Sequence, residues 1–202
     1  MSQKNTEPKP ADETVYRFER QEITLARIPQ PGRILDLGGG GEGTIGKLEG
    51  ERVVAIAPMY PERFQAEAAS GPLKILMDAR ELKFLEGTFP LATSFFTLMY
   101  IPGEDHEKVF TEVFRVLQPG GRFYLWEASV PECLDESTEY YVVMLQLHLP
   151  DCEIDTGYGQ LWPGERRDLA YYRSLAARTG FEVINASEDC RVLAMEMQKP
   201  AI

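Results

Sequence analysis

The chain has 202 residues, of which 44% are hydrophobic, and its 32 acidic against 21 basic residues give a formal net charge of −11. This length suits one domain with a real hydrophobic core, and the acidity argues against a nucleic-acid partner, because phosphate-backbone binding needs clustered Lys and Arg. No apolar run resembles a membrane span or a signal peptide, so we expect a cytoplasmic protein without a membrane partner. Cys133, Cys152 and Cys190 are far apart in the chain, which predicts reduced thiols and no metal site.

The amino-terminal part divides into two segments. Residues 1–13 are polar, contain prolines and show no periodicity, so we interpret them as a flexible tail before a single domain over 14–202. The stretch from Tyr16 to Ala26 is interpreted as a helix, with Tyr16 and Phe18 in buried or lid-like positions. The segment Pro29 to Gly32 ends it.

From Arg33 onward, short apolar runs alternate with turns and helical segments. The runs RILDL, RVVAIA, LKILM, FPLATSFF and RFYLWEASV predict strands, and TIGKLEG, PERFQAEAAS and the stretch before Pro119 predict helices. A last helix in RRDLAYYRSLAARTG precedes FEVINASE and CRVLAMEMQK, which are typical of an antiparallel hairpin. This alternation predicts an α/β protein whose mostly parallel sheet is covered on both faces.

The rhythm breaks between the fifth strand and the last helix, at about 131–165. There Tyr141, Met144, Leu145 and His148 follow helical spacing, and we interpret them as a helix face packed on the core. The alternative interpretation is a ligand pocket, with aromatic walls supplied by Tyr140, Tyr141, His148, Tyr158 and Trp162.

The first predicted strand ends in a glycine-rich turn that follows Asp36 and runs from Gly38 to Gly43. Glycines are needed where a chain turns sharply and where a ligand approaches bare backbone, and this turn lies at the carboxyl edge of the sheet, where ligands bind. The spacing of Gly38, Gly40 and Gly43 matches a dinucleotide fingerprint. Asp36 would repel a pyrophosphate but suits an ammonium group, so an amino-acid-bearing nucleoside fits better.

The stretch from Arg33 to about Pro131 resembles the small-molecule class of S-adenosylmethionine-dependent methyltransferases. RILDLGGGGEG, MDARELKF and EVFRVLQPGGRFYLWE are similar to three of that family's motifs, and Arg115 to Gly121 is the most specific string among them. The resemblance implies a Rossmann-like, doubly wound, mostly parallel seven-stranded sheet with a carboxyl-terminal antiparallel hairpin. It also implies S-adenosylmethionine as cofactor and a small-molecule substrate.

Carried over by position, the resemblance implies roles for individual residues. The glycines would lie against the methionine part of the cofactor, and Asp36 would orient its amino group. Asp78 would accept a hydrogen bond from the adenine amine, with the backbone N–H of Ala79 facing a ring nitrogen. Ser94 and Phe95 would border the methyl-transfer face. The implied cofactor-binding residues are Asp36, Gly38, Gly39, Gly40, Ala57, Pro58, Asp78, Ala79, Ser94 and Phe95.

The sequence departs from the family pattern at the ribose. Ala57 stands where the family has an acidic residue, and Glu42 replaces a glycine; Glu42 or Glu62 would be alternative ribose partners. Three functions remain open: a methyltransferase with a modified ribose contact, a methyltransferase-like protein with a degenerate or repurposed site, and a nicotinamide-dependent oxidoreductase. The oxidoreductase would also want an acid at position 57.

Methyl transfer from a sulfonium requires positioning and, where needed, proton removal, but no nucleophilic residue of the enzyme. In this family the segment after the fifth strand, here an insertion at about 131–165, usually builds the substrate pocket. His148 lies in this insertion and Glu127 lies beside it on the fifth strand, so we expect one of them to act as general base. His106, near the start of a predicted helix, is expected to be solvated.

Overall fold

A computed structural model of the chain describes residues 14–39, 43–58, 71–133 and 137–201. The predicted tail over 1–13, the predicted helix over 61–70, and Gly40 and Glu42 lie outside the described residues. In chain order the elements are β1 (Val15–Arg17), β2 (Gln21–Thr24), β3 (Ile34–Leu37), α1 (Thr44–Glu49), β4 (Val53–Ala57), β5 (Leu73–Leu76), β6 (Phe89–Phe95), α2 (Gly103–Val116), β7 (Leu117–Ala128), β8 (Tyr140–His148), β9 (Glu153–Leu161), α3 (Leu169–Thr179), β10 (Glu182–Asp189) and β11 (Val192–Gln198), with short 3-10 turns at Gly50–Arg52 and Leu98–Tyr100.

The larger sheet has seven strands in the order β10-β11-β7-β6-β3-β4-β5. The strands β7, β6, β3, β4 and β5 pair in parallel, whereas β11 is antiparallel to both β7 and β10. Every residue of β3 and β4 is buried, as expected for parallel strands covered on both faces. The predicted α/β class, with a mostly parallel seven-stranded sheet and a carboxyl-terminal antiparallel hairpin, is confirmed.

A second, smaller sheet has four strands and was not predicted. Its central strand β8 pairs in parallel with β1 and β2, and antiparallel with β9. The predicted helix from Tyr16 to Ala26 is therefore wrong: β1 and β2 lie in this stretch, and both pair with a strand far along the chain.

The predicted helix face over residues 141–148 is also wrong, because this segment is β8. Tyr141, Val143, Leu145 and Leu147 are all buried, and the residues between them are more exposed, which is the two-residue period of a strand. The buried side of β8 packs in a cluster that includes Phe95 of the larger sheet.

Two hydrophobic clusters lie on opposite faces of the larger sheet. One joins the strands to α2 and α3 and includes Phe110, Phe123 and Leu175, all nearly inaccessible to solvent. The other joins the strands to α1 and the smaller sheet. The larger sheet is thus covered by helices on one face and by α1 and the smaller sheet on the other.

His106 lies in the first turns of α2 but is fully buried, so the expectation of a solvated side chain is wrong. Its Nε2 lies 2.9 Å from the carbonyl oxygen of Leu98 and 3.0 Å from that of Ile101, and Nδ1 lies 2.8 Å from the Tyr171 hydroxyl. Burial lowers the pKa of this imidazole, which favours its neutral form. His106 ties the 3-10 turn after β6 to both α2 and α3.

Within the part of the chain that the structure describes, no helix is long and apolar enough to cross a membrane.

Replacing Phe110 by Ala tests the helix-covered core. Phe110 is fully buried, with its ring centroid 5.5 Å from that of Phe123. We expect the free energy of unfolding, measured with urea, to fall by about 3 to 5 kcal/mol, since the substitution leaves a cavity. Leu85→Ala, at a side chain that is 83% exposed, is the control and should change stability by less than about 0.5 kcal/mol. Equal effects of the two substitutions would contradict the described packing.

Candidate functional site

A cavity of about 590 Å³ opens at the carboxyl edge of the parallel strands. This is the edge at which ligands bind in open α/β sheets, and the volume lies in the range of small-molecule sites. The turn after β3, the ends of β4 and β6, and the segment after β5 form its floor, and residues 156–158 of β9 close one side. The larger sheet and the hairpin of the smaller sheet therefore build the cavity together.

The structure brings most of the predicted cofactor residues to this cavity. Ser94 is an exception: it is fully buried within β6, and its hydroxyl has no hydrogen-bond partner among the described residues. Gly40 lies outside the described residues. The predicted residues that line the cavity are Asp36, Gly38, Gly39, Ala57, Pro58, Asp78, Ala79 and Phe95.

The turn after β3 needs glycine at position 38 for two reasons. Gly38 has φ +72°, a conformation that side chains with a Cβ rarely adopt. A Cβ there would also lie 2.2 Å from Oγ1 of Thr97. Thr97 is held in place because its hydroxyl donates to the carbonyl oxygen of Leu37 at 2.9 Å. Thr97 lines the cavity and was missed in the sequence, since nothing local marks a threonine that packs against a distant glycine.

Asp36 is the fully buried carboxylate of the site. It accepts a hydrogen bond from the Thr93 hydroxyl at 2.8 Å, and a Cβ on Gly39 would lie 2.3 Å from its Oδ2. Burial raises the pKa of the Asp36 carboxyl to about 7, against the lowering effect of the Thr93 hydrogen bond. A cation at this end of the cavity would stabilise the ionised form of Asp36.

Asp78 lies at the other end of the cavity and is engaged by Arg80. The Arg80 side chain donates to both oxygens of Asp78 at 2.7 to 3.1 Å, and the Arg80 backbone N–H donates to Oδ1 at 2.8 Å. The same guanidinium also donates to Asp105 at 2.8 Å. Hydrogen bonding from Arg80 holds the pKa of Asp78 below its usual value, so this carboxylate stays ionised and shared with the arginine.

The end of β4 presents the methyl group of Ala57, the predicted departure at the ribose, to the cavity. Ala57 is buried and lines the cavity beside Pro58. Among the described lining residues, the carboxylates are Asp36 and Asp78, which are bound to Thr93 and Arg80 respectively. Glu42 and Glu62, the alternative ribose partners, lie outside the described residues.

Four aromatic residues, Phe95, Phe96, Tyr100 and Tyr158, line the cavity on the side away from β4, and we call them the aromatic wall. Phe96 has φ +48°, an unusual conformation for a bulky residue. Its ring stacks on that of Tyr158, with centroids 5.1 Å apart. Tyr158 was a predicted pocket residue, whereas Tyr100 was missed because it lies in a short 3-10 turn without a periodic pattern.

The other predicted aromatic residues of the insertion do not line the cavity. Tyr141 and Trp162 pack together in the core between the sheets, with ring centroids 5.8 Å apart. Tyr16 and Phe18, expected in a lid-like helix, both contact Trp162; Phe18 is buried in this cluster, whereas Tyr16 is 51% exposed. Phe18, Tyr141 and Trp162 therefore belong to the core between the sheets and not to the cavity lining.

Neither predicted general base lies at the cavity. Glu127 is fully buried at the end of β7 and accepts backbone hydrogen bonds from Ala128 at 3.0 Å and Met99 at 3.2 Å. His148 is the last residue of β8, and its Nδ1 lies 3.3 Å from a Glu153 oxygen. Thr156 of β9 lines the cavity and pairs with Leu145 of β8. His148 lies three residues further along β8, about 10 Å from Leu145. Their catalytic roles stay predictions that the geometry does not support.

Comparison with solved structures supports the fold class. Over 88% of this chain and 100% of the other, the fold matches an S-adenosylmethionine-dependent methyltransferase from Methanosarcina mazei with a TM-score of 0.57 and 17% identity. A likeness at this identity shows the fold, which is that of class I methyltransferases.

The sequence comparisons add the family. Residues 35–125 match the family model of the methyltransferase domain. A demethylmenaquinone methyltransferase of Thermus thermophilus is 34% identical over 125 residues, which are 57% of this chain and 56% of that protein. A sterol 4-C-methyltransferase of Caenorhabditis elegans is 33% identical over 100 residues, 46% of this chain and 29% of that protein. The match thus spans about half of one relative and less than a third of the other. The family implies S-adenosylmethionine as cofactor.

Replacing Gly38 by Ala tests the turn after β3. The new Cβ would be strained by the positive φ and would overlap Thr97, so we expect the free energy of unfolding to fall by about 2 to 5 kcal/mol. Gly87 is the matched control, because it also has a positive φ of +63° but nothing lies within 4 Å of the position that a Cβ would take. Gly87→Ala should cost about 1 to 2 kcal/mol. Equal losses of unfolding free energy in the two variants would show that the overlap with Thr97 does not contribute to the effect of Gly38→Ala.

The raised pKa of Asp36 makes stability depend on pH. Its carboxyl has a pKa of about 7 when folded, above the usual 3.8, so the folded state holds a proton that the unfolded state releases between these values. The free energy of unfolding should therefore fall as pH rises, and Asp36→Asn should remove this contribution. Between pH 5 and 8 we expect wild type to lose about 2 to 3 kcal/mol relative to the variant in urea unfolding.

Glu127, whose pKa burial also raises to about 7, is present in both proteins, so the comparison isolates Asp36. Leu85→Ala changes no titratable group and should run parallel to wild type. If Asp36→Asn also runs parallel to wild type, Asp36 does not bind its proton as described.

Proposed function

We propose that residues 14–202 form a single cytoplasmic domain that transfers a methyl group from S-adenosylmethionine to an O, N or S atom of a small-molecule acceptor. The observation that carries the proposal is the cavity itself. Within the segment that matches the methyltransferase family, the turn at Gly38 and the buried Asp36 meet at the carboxyl edge of the sheet. The two curated relatives are named for small-molecule substrates, which agrees with it.

The residues present fit the cofactor at its methionine end. The turn at Gly38 and Gly39 leaves backbone open to the cavity, and Asp36 supplies a carboxylate for an ammonium group. Thr44, at the start of α1, also lines the cavity, and among the described residues its buried hydroxyl has no hydrogen-bond partner. A buried polar atom without a partner is expected where a bound ligand completes the site.

At the adenine end, Asp78 and Ala79 line the cavity and would hold the base, with the Asp78 carboxylate shared with Arg80. At the ribose, the described residues offer the methyl of Ala57 in place of a carboxylate. Two charge-assisted hydrogen bonds of about 1.5 to 3 kcal/mol each are thereby forgone. Binding would rest on the two ends of the cofactor.

The bound cofactor supplies a methyl group already activated on a sulfonium. The work of the chain is then to position the acceptor in line with that methyl group and to exclude water. The cavity walls are suited to this, because Phe95 and Phe96 lie at the end of β6 and Tyr158 closes over them from β9. A general-base role for His148 or Glu127 is kept as a hypothesis for acceptors that must lose a proton.

A second candidate function is a methyltransferase-like protein that has lost or repurposed the cofactor site. Ala57 favours it, since the family's ribose contact is replaced by a methyl group. A nicotinamide-dependent oxidoreductase is less well supported, because Asp36 is unfavourable for a pyrophosphate and the acid at position 57 is missing for this ligand too.

Calorimetric titration with S-adenosylmethionine and S-adenosylhomocysteine, beside nicotinamide dinucleotides, tests the proposal. We expect binding of both sulfur ligands in the micromolar range and none of the dinucleotides. Ala57→Asp should tighten S-adenosylhomocysteine binding about tenfold to a hundredfold, because it restores a carboxylate toward the ribose. Ala57→Asn, which has the same shape without the charge, is the matched control and should tighten binding less.

Each other result has a distinct meaning. Binding that occurs only in Ala57→Asp indicates a degenerate site. Absence of binding by both proteins refutes the cofactor assignment, and dinucleotide binding would favour the oxidoreductase.

A further inference from the structure

The aromatic wall differs in chemistry from the rest of the cavity. Its four residues come from three places in the chain: Phe95 and Phe96 from the end of β6, Tyr100 from the following turn, and Tyr158 from β9. The carboxylates and the arginine of the cavity belong to β3 and to the segment that follows β5. The cavity therefore has a polar side at the cofactor residues and an aromatic side beneath the hairpin.

The rings of this wall are fixed by their neighbours. Tyr158 stacks nearly parallel on Phe96, with 10° between the planes, and its centroid lies 6.3 Å from that of Phe95. Phe95 is in turn backed by Trp126 of β7, with centroids 6.0 Å apart. Tyr100 lines the cavity from the 3-10 turn Leu98–Tyr100. A rigid aromatic surface binds a flat ring at small entropic cost.

The charges of the cavity disfavour anionic and cationic ligands at the aromatic wall. The cationic side chain among the described lining residues is Arg80, and both Asp78 and Asp105 bind it. An anionic ligand would find no other cationic residue among the described part of the lining and would meet the field of a chain with net charge −11. The carboxylates of the cavity are engaged by Thr93 and Arg80, so a cationic acceptor would also have to compete for them.

We propose that the aromatic wall is the acceptor subsite and that it takes an uncharged, planar ring system. This proposal rests on the proposed function, because it names the acceptor of the same cavity. Tyr158 is then the specificity-determining residue: its ring lies between the hairpin and the phenylalanine pair, and a flat acceptor packs against it.

Four probes with a common skeleton test this class by calorimetric titration in the presence of saturating S-adenosylhomocysteine. They are 1-naphthol, its saturated counterpart decahydro-1-naphthol, the anion 1-naphthoate and the cation 1-naphthylmethylammonium. We expect 1-naphthol to bind about tenfold more tightly than each of the other three, since aromatic packing adds to burial and a desolvated charge adds a penalty. Equal binding of the saturated probe would overturn planarity, and equal binding of either ion would overturn the requirement for an uncharged ring.

Variants of Tyr158 test the location. Tyr158→Leu keeps an apolar side chain but removes the ring, and we expect it to weaken 1-naphthol about tenfold. Tyr158→Phe keeps the ring and should stay within about twofold of wild type. Tyr140 belongs to the same hairpin but does not line the cavity, so Tyr140→Leu should leave the binding of 1-naphthol unchanged. If Tyr158→Leu does not fold, Tyr100→Leu replaces it with the same expectation.

The outcomes separate the two proposals. Binding of S-adenosylhomocysteine without binding of 1-naphthol overturns the acceptor subsite and leaves the cofactor assignment intact. Binding of 1-naphthol that depends on Tyr158, without any binding of S-adenosylhomocysteine, supports the subsite and refutes the proposed methyl transfer. Binding of 1-naphthol that is unaffected by Tyr158→Leu places the ring elsewhere and overturns the proposal.

Discussion

The contact between the ends of β3 and β6 is the constraint on which the site depends. The two strands pair in parallel, so their carboxyl ends meet at one edge. Gly38 can turn there because it lacks a side chain, and the Thr97 side chain fills the space. Earlier in β6, Thr93 donates to Asp36 across the same pair of strands. The close approach thus fixes both the turn and the buried carboxylate, and with them the polar side of the cavity.

The smaller sheet supplies the remaining side of the cavity. Parallel strands covered by helices on one face leave the other face to be buried, and here α1, β1, β2 and the hairpin β8–β9 bury it. Because residues 156–158 of β9 lie at the carboxyl edge of the larger sheet, Tyr158 reaches Phe96 and closes the cavity. The hairpin β8–β9 therefore has two roles: it buries one face of the larger sheet, and it forms one side of the cavity.

The central strands and helices could be predicted because their signals are local. Apolar runs bounded by glycine and proline mark β3 to β7, and helical spacing marks α2. The smaller sheet could not be predicted as readily, since β1 and β2 gain their stability from pairing with β8 far along the chain. For β8 itself a local signal existed, the alternation of Tyr141, Val143, Leu145 and Leu147, but the spacing of Tyr141, Leu145 and His148 also matches a helix.

The difference between local signals and contacts made only in the fold also explains which residues of the cavity could be predicted from the sequence. Residues in the motifs at the ends of β3 and β5 were found because their type and order carry the chemistry. Thr97 and Tyr100 were missed because only the fold brings Thr97 against Gly38 and Tyr100 to the cavity. The burial of His106 and Glu127 has the same origin, since each is enclosed by backbone groups of the 3-10 turn after β6. Glu127 accepts a hydrogen bond from the backbone N–H of Met99, the neighbour of Tyr100, so its carboxylate helps to hold the turn from which Tyr100 lines the cavity.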